Sequence, residues 1–372
     1  MLCGMTQIQH IIIRIVSIIL CASGVIQIIT PRIPVSPQLP PPSTVTTQFL
    51  KAGVHTRLAG VGDELFIGNQ LDLVSQMGAP WVVELFPWAY AQPRSAYGYD
   101  WKGFDLVVAH AKQRGIRIIA RLDFVPAWAR PDNSSDRMLL PYAHDDYVNY
   151  VVAFVTRYAP HGIMHISIWN EPNLRFEWGG RPPDPEAYAA LMAKLYPAVK
   201  AVNPDVIIIA GNLSPGPSLG DNAEVRINDR EYTERFFAAG GWQHTDAWGV
   251  HAYGGQLPPD AAPDWDVVNF RRVELVRELI SHYGKFPIYI TESGWNDHQR
   301  WQLAITPAQR IRWTAQAYQM AETWPWLESM VIWQFGLPAP TRTYQDGWLI
   351  VAGDGTPRAI FYELQKILTA RR

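Results

Sequence analysis

At 372 residues the chain has room for one large domain or two ordinary ones, and its 48% hydrophobic and 18% charged residues describe a folded globule rather than a disordered segment. A formal charge of −2 supplies no basic surface of the kind a nucleic-acid partner requires. Both cysteines, Cys3 and Cys21, lie near the N-terminus, so the rest of the chain has no disulfide, thiol nucleophile or thiolate metal site.

Residues 8–30 form an apolar segment, IQHIIIRIVSIILCASGVIQIIT, broken by Arg14. Its apolar stretch of about 19 residues is enough to cross a bilayer if Arg14 snorkels to the interface. Residues 1–30 are therefore expected to be a cleaved signal peptide or a retained membrane anchor, and the protein to be extracytoplasmic, secreted or membrane-anchored. Residues 31–48, rich in Pro, Ser and Thr, are expected to form an extended linker, with a single catalytic domain over 49–372.

From about residue 52, short β-type runs alternate with longer helical stretches. Strands are expected at 54–61, 81–86, 116–124, 164–170, 206–212, 247–252, 286–292 and 330–335. Runs such as Val206-Ile-Ile-Ile-Ala suit strands buried on both faces. Helices are expected at 145–158, 185–202, 267–283, 307–323 and 361–368. Pro185 and Pro307 fall where a first helical turn tolerates proline. Eight βα units in one chain predict a closed (β/α)8 barrel rather than an open doubly wound sheet. The Gly60-Val-Gly-Asp-Glu stretch after the first strand does not match a dinucleotide-binding loop, and no Walker motif is present.

Barrels of this kind place their sites at the C-terminal ends of the strands. There this chain offers His55 and Arg57, Glu84 and Trp88, Arg121, Asp123 and Trp128, Asn170 and Glu171, Asn212, His251 and Tyr253, Glu292 and Trp295, and Trp333. Each of the arginines and Asp123 also has a plain reading as part of a buried ion pair that ties the barrel together. Glu171 ends strand four and Glu292 ends strand seven, on opposed parts of the wall. A pair of carboxyl groups facing each other is what hydrolysis of a glycosidic bond calls for, one as acid and one as nucleophile or base. With 16 Trp and 16 Tyr, the chain has ample flat aromatic surface for the apolar faces of sugars, although many of these rings are needed for a large core. A metal hydrolase built on His55, His251 and Asp123 lacks the His-x-His pair on strand one, and two carboxylates and water suffice for glycoside hydrolysis, so no cofactor is expected.

Ile-Trp-Asn-Glu-Pro-Asn at 168–173 and Ile-Thr-Glu-Ser-Gly-Trp at 290–295 resemble the two signatures of glycoside hydrolase clan A. The general look is similar to that of its families 39 and 5, and the resemblance spans roughly 52–369. It implies a retaining glycosidase acting on β-linked carbohydrate through a covalent intermediate, with Glu171 as acid/base and Glu292 as nucleophile. Asn170 matches the asparagine that binds the sugar 2-hydroxyl. Either Tyr253 or His251 resembles the strand-six residue that contacts the nucleophile, and either Arg57 or Arg121 the arginine near it. Trp333 resembles the tryptophan that floors the sugar subsite, and Trp128 and Trp295 are further aromatic candidates for substrate contact. Where some clan families carry a histidine near the end of strand three, this chain reads Arg-Leu-Asp-Phe. A carbohydrate-binding barrel without catalysis is the alternative, and it gives no reason for keeping both glutamates.

Overall fold

A computed structural model describes residues 42–217 and 222–370. Its compact unit begins at Pro42, ahead of the expected boundary at residue 49. Val45 donates from its backbone to Arg114 O (2.9 Å), Ser75 Oγ donates to Ser43 O (2.6 Å), and Thr47 Oγ1 donates to Leu368 O (2.8 Å). The end of the Pro-rich segment is thus hydrogen-bonded to the body of the domain rather than free of it. The expected signal or anchor at 8–30 lies outside the described residues, and no described helix is long and apolar enough to cross a membrane.

Eight parallel strands close into a barrel in sequence order: β1 (Ala52–Thr56), β2 (Trp81–Pro87), β3 (Arg117–Asp123), β4 (His165–Ile168), β5 (Ile207–Leu213), β6 (Ala247–Tyr253), β7 (Ile288–Gly294) and β8 (Leu327–Ile332). The ring is completed by pairing of β1 with β8. A helix follows each strand: α1 (Glu64–Met77), α2 (Lys102–Gln113), α3 (His144–Tyr158), α4 (Pro185–Val202), α5 (Asp229–Ala238), α6 (Arg272–Ser281), α7 (Pro307–Thr323) and α8 (Ala359–Thr369). The eight-unit expectation holds, and α4 and α7 match their predicted bounds. Both start as the prolines suggested. Asp184 caps α4 by accepting from Ala187 N, and Thr306 and Gln309 form a reciprocal capping box on α7.

The strand residues alternate between two environments, as a period of two demands. Trp81, Val83, Ile119, Ile209, Ala247, Tyr289 and Val331 form one cluster, which fills the barrel interior. Val82, Ile118, Ile166, Ile208 and Ile288 belong to the larger layer between sheet and helices. Toward the C-terminal ends the interior face turns polar at the same two-residue step. Ile119 leads to Arg121 and Asp123, Ala247 to His251 and Tyr253, and Val331 to Trp333. The apolar packing thus stops one layer below the mouth, and charged groups occupy the next.

Strand ends differ from expectation where side chains capture the backbone. β1 stops at Thr56 rather than at 61, because Glu84 accepts from Leu58 N (2.9 Å) and Ala59 N (3.1 Å) and from Thr56 Oγ1 (2.6 Å), which turns the chain. β8 begins at Leu327 and ends at Ile332, and the Trp333–Gln334 peptide beyond it is cis.

Candidate active site

Glu171 and Glu292 face each other at the mouth, joined by His251. An oxygen of each carboxylate and a nitrogen of His251 all lie within 4.8 Å of one another. His251 Nδ1 is 2.9 Å from Glu171 Oε1 and 3.6 Å from Glu292 Oε2. The Glu292 side chain is 7% exposed and that of Glu171 16%, so the two carboxylates differ in their access to solvent.

Glu292 sits in a cage of donors. Arg121 Nη1 donates to Oε1 at 2.9 Å, and Tyr253 OH donates to Oε2 at 2.8 Å. Withdrawal from solvent, with the charges of Glu292 and Glu171, raises the Tyr253 phenol well above its usual range, so it stays protonated and remains a donor. Burial works against the Arg121 charge, but Asp123 and Glu292 outweigh it and push its pKa up. His55 is the opposite case. Burial, with Arg121 and Arg57 beside it, pulls its pKa well down, so the ring is neutral. Its Nδ1 bonds Thr56 O at 3.0 Å, which makes that nitrogen the protonated one and turns the lone pair of Nε2 toward Arg121 Nη1, 3.4 Å away. For His251, burial opposes the imidazolium, while Glu292 and Glu171 favour it more strongly and raise its pKa above the ordinary value.

Local strain aims Glu171. Trp169 and Glu171 both have positive φ, 67° and 39°, which L-residues hold only when their surroundings impose it. Trp169 is fully buried and its indole donates to Glu177 O at 2.8 Å, while Glu171 N donates to Asn212 O at 3.0 Å. Asn212, also at positive φ, is itself held by Thr291 Oγ1 (2.9 Å). Asn173 staples the loop after β4 to that after β5, donating to Ser214 O and Ile227 O and accepting from Ser214 N. The Asn-Glu-Pro-Asn stretch is therefore a braced turn.

Of the two arginines, Arg121 reaches Glu292, and it also donates to Asn170 Oδ1 at 2.8 Å, leaving the amide nitrogen of Asn170 free for the cavity. Both strand-six candidates are engaged: Tyr253 contacts Glu292, and His251 spans the pair. Trp333 lines the cavity, half-buried, edge-on to His55 at 4.6 Å. Trp128 and Trp295 do not line it. Trp295 is buried against Phe270 and Trp313 and bonds Leu257 O, and Trp128 packs on Trp88 and bonds Gln92 O. Their positions near strand ends are occupied for the sake of packing.

The cavity around the pair has a volume of about 660 Å³. Two loops shape it, through Ser214, Pro215 and Arg226 after β5 and Trp301 after β7. Arg137 and Glu177 also line it and carry no strand-end signal in the sequence. Arg137 Nη1 meets Asp123 Oδ2 at 2.7 Å and Glu177 Oε2 at 3.1 Å, while Arg121 Nε meets Asp123 Oδ2 at 3.3 Å, making one buried charge chain. Burial pushes Glu177 up to about 7 against the pull of Arg137, with help from the Glu171 charge.

Among the described residues, Glu171, His251 and Glu292 are also the group whose spacing suits a metal ion. Arg121, already on Glu292 Oε1, competes with a cation there, so the donor set fits proton transfer better than coordination.

No protein-family model and no curated protein matches the chain. Solved structures do. A family 39 glycoside hydrolase from Bacteroides cellulosilyticus WH2 aligns with TM-score 0.69 at 18% identity, over 86% of this chain and 63% of the other. A monomeric β-xylosidase from Caulobacter crescentus CB15 aligns with TM-score 0.61 at 18% identity, over 87% and 68%. A β-glucuronidase from Bacteroides uniformis aligns with TM-score 0.56 at 15% identity, over 87% of this chain and 35% of the other. At these identities the likeness carries the fold alone, that of a (β/α)8 barrel, and this chain spans 63% of the length of the first of them.

Proposed function

We propose that the chain is a retaining glycoside hydrolase acting on β-linked carbohydrate, with Glu292 as nucleophile and Glu171 as acid/base. The observation that carries this reading is the approach of one oxygen of each carboxylate to within 4.8 Å across the barrel mouth, which leaves no room for a water to be held between the two groups. Retaining enzymes hold their carboxyl groups about 5–5.5 Å apart, and inverting ones roughly 6.5–9.5 Å to admit a water between them.

In the first step Glu292 attacks the anomeric carbon while Glu171 gives its proton to the departing glycosidic oxygen. The C–O bond to the aglycone breaks as the glycosyl ester forms. In the second, Glu171 takes a proton from water, which attacks the anomeric carbon and releases Glu292 as carboxylate. The donors Arg121 and Tyr253 suit Glu292 to this role, because they stabilise the carboxylate both as the ground-state nucleophile and as the leaving group of the second step. The greater exposure of Glu171 suits a group that must meet both the leaving group and the incoming water. His251 holds one Glu171 oxygen and leaves the other for the substrate. Asn170, its carbonyl fixed by Arg121, presents its amide to the sugar 2-hydroxyl, and Trp333 supplies the floor under the ring.

The test is azide rescue. Glu292→Ala with azide is expected to yield the glycosyl azide of inverted configuration, and Glu171→Ala the retained one, from an activated aryl β-glycoside. Binding of carbohydrate without turnover of any aryl glycoside or polysaccharide would replace this reading with that of a binding barrel. Extracytoplasmic localisation belongs to the same proposal and rests on the apolar segment at 8–30. Mass spectrometry of protein from the native host distinguishes a cleaved from a retained segment.

A further inference from the structure

Among the described residues, Arg57 is the one strand-end arginine that the proposed mechanism leaves unused. It stands just beyond the end of β1, where the cavity holding Glu171 and Glu292 meets a second one of about 590 Å³, lined by Glu84, Leu85, Tyr90 and Leu337. The two cavities share Arg57, Trp333 and Gln345. The guanidinium carbon lies 5.2 Å from the Trp333 ring centre.

Among the described residues, Arg57 has no ion-pair partner, and its Nε is shut off from solvent with no hydrogen bond. Three carboxylates are close enough to act on its charge, Asp123, Glu292 and Glu84, and each is committed elsewhere. Asp123 meets Arg121 and Arg137, Glu292 accepts from Arg121 and Tyr253, and Glu84 holds the turn after β1. Burial first, and then Arg121, push the Arg57 pKa down to about 10, against the pull of these three carboxylates. Arg57 is part-buried, with only its Nε withdrawn from solvent, so its charge stands at the junction of the two cavities with no carboxylate paired to it among the described residues. Its planar fork is suited to a carboxylate or sulfate.

We propose that Arg57 binds an anionic substituent, a carboxylate or sulfate, on the sugar residue lying over Trp333 toward the second cavity. The substrate class is then an acidic β-linked oligo- or polysaccharide. The proposal rests on the glycosidase reading for the orientation of the chain of sugars, since the second cavity lies by β1, β2 and β8, away from the acid/base on β4 and so on the side of the glycosyl unit rather than the leaving group. An incoming anion completes the coordination of Arg57 without disturbing Arg121, whose own partners are in place.

The test uses the full chain carrying Glu171→Gln, which prevents turnover while keeping the Glu292 charge beside Arg57. Calorimetric titration compares cellotetraose, the same tetrasaccharide oxidised to carboxylates at C6, and the same tetrasaccharide sulfated at O6. At least one acidic form is expected to bind about 10- to 150-fold more tightly than the neutral one, the range for a hydrogen bond to a charged group. Which acidic form gains identifies the source of the anion. Adding Arg57→Gln is expected to abolish the preference and leave neutral binding unchanged, while Arg57→Lys retains part of it. Equal binding of all three, binding of none, or a preference that survives Arg57→Gln in a chain with unchanged melting temperature overturns the proposal. The outcome is separable from the azide experiment: failed rescue with an Arg57-dependent preference removes the glycosidase reading alone, and successful rescue without the preference removes this inference alone.

Discussion

Replacing Tyr253 by phenylalanine removes one oxygen and little else, because the ring remains packed against Trp348 at 5.3 Å. The atom that loses a partner is Glu292 Oε2, which keeps only His251 Nδ1 at 3.6 Å. A hydrogen bond to a charged group contributes about 1.5–3 kcal/mol. The two proposed steps feel this loss differently. When the glycosyl ester forms, the Glu292 charge disappears and the bond weakens. When the ester is hydrolysed, the charge returns and the bond should strengthen toward the transition state. Deglycosylation is therefore expected to slow by about 10- to 150-fold, at about 1.36 kcal/mol per tenfold, and glycosylation by much less. With a dinitrophenyl β-glycoside, stopped-flow measurement should show a burst of phenol followed by a slow steady state, and intact-protein mass spectrometry should find the accumulated glycosyl-enzyme. A uniform slowing of both steps with no burst, or a change of under about threefold in kcat, would refute the assignment of Tyr253 as the donor that matters to the leaving carboxylate.

Arg121→Met leaves Glu292 and Asp123 as buried carboxylates short of a partner, so a stability loss of about 3–5 kcal/mol is expected in urea titrations. Unchanged stability would mean that the charge chain contributes little. Glu177, lifted to about 7 in the fold, binds its proton more tightly folded than unfolded. Its contribution is therefore fully present below the ordinary carboxylate range, near 4.5, and is lost as pH rises through about 7. Glu177→Gln should flatten the melting temperature against pH across that window, and a slope that persists would place the titration elsewhere. Treatment with a chelator is expected to leave activity intact, because Arg121 competes for the Glu292 oxygen that a cation would need. Loss of activity that a divalent cation restores would instead make Glu171, His251 and Glu292 ligands.

What this sequence determined by itself is whatever depends on local order. The alternation of apolar runs and helical stretches was enough for eight βα units, since a strand buried on both faces and an amphipathic helix each leave a periodic mark, and Pro185 and Pro307 marked helix starts because a first turn can do without the amide hydrogen. Glu171 and Glu292 were legible because a strand end is where a barrel wall changes from apolar to polar. The allocation of charges was not legible. Arg57 and Arg121 looked alike at the ends of β1 and β3, and only closure of the barrel brought Arg121 to Glu292 and left Arg57 over Trp333 with no ion-pair partner among the described residues. Trp128 and Trp295 resembled sugar platforms until tertiary packing turned them into neighbours of Trp88 and Trp313. Arg137 and Glu177 sit in loops with no periodic signal, and it was folding that joined them through Asp123. Coulomb and hydrogen-bond partners are set by distances across the ring, between residues far apart in the chain, and those distances exist only once the eight strands have closed.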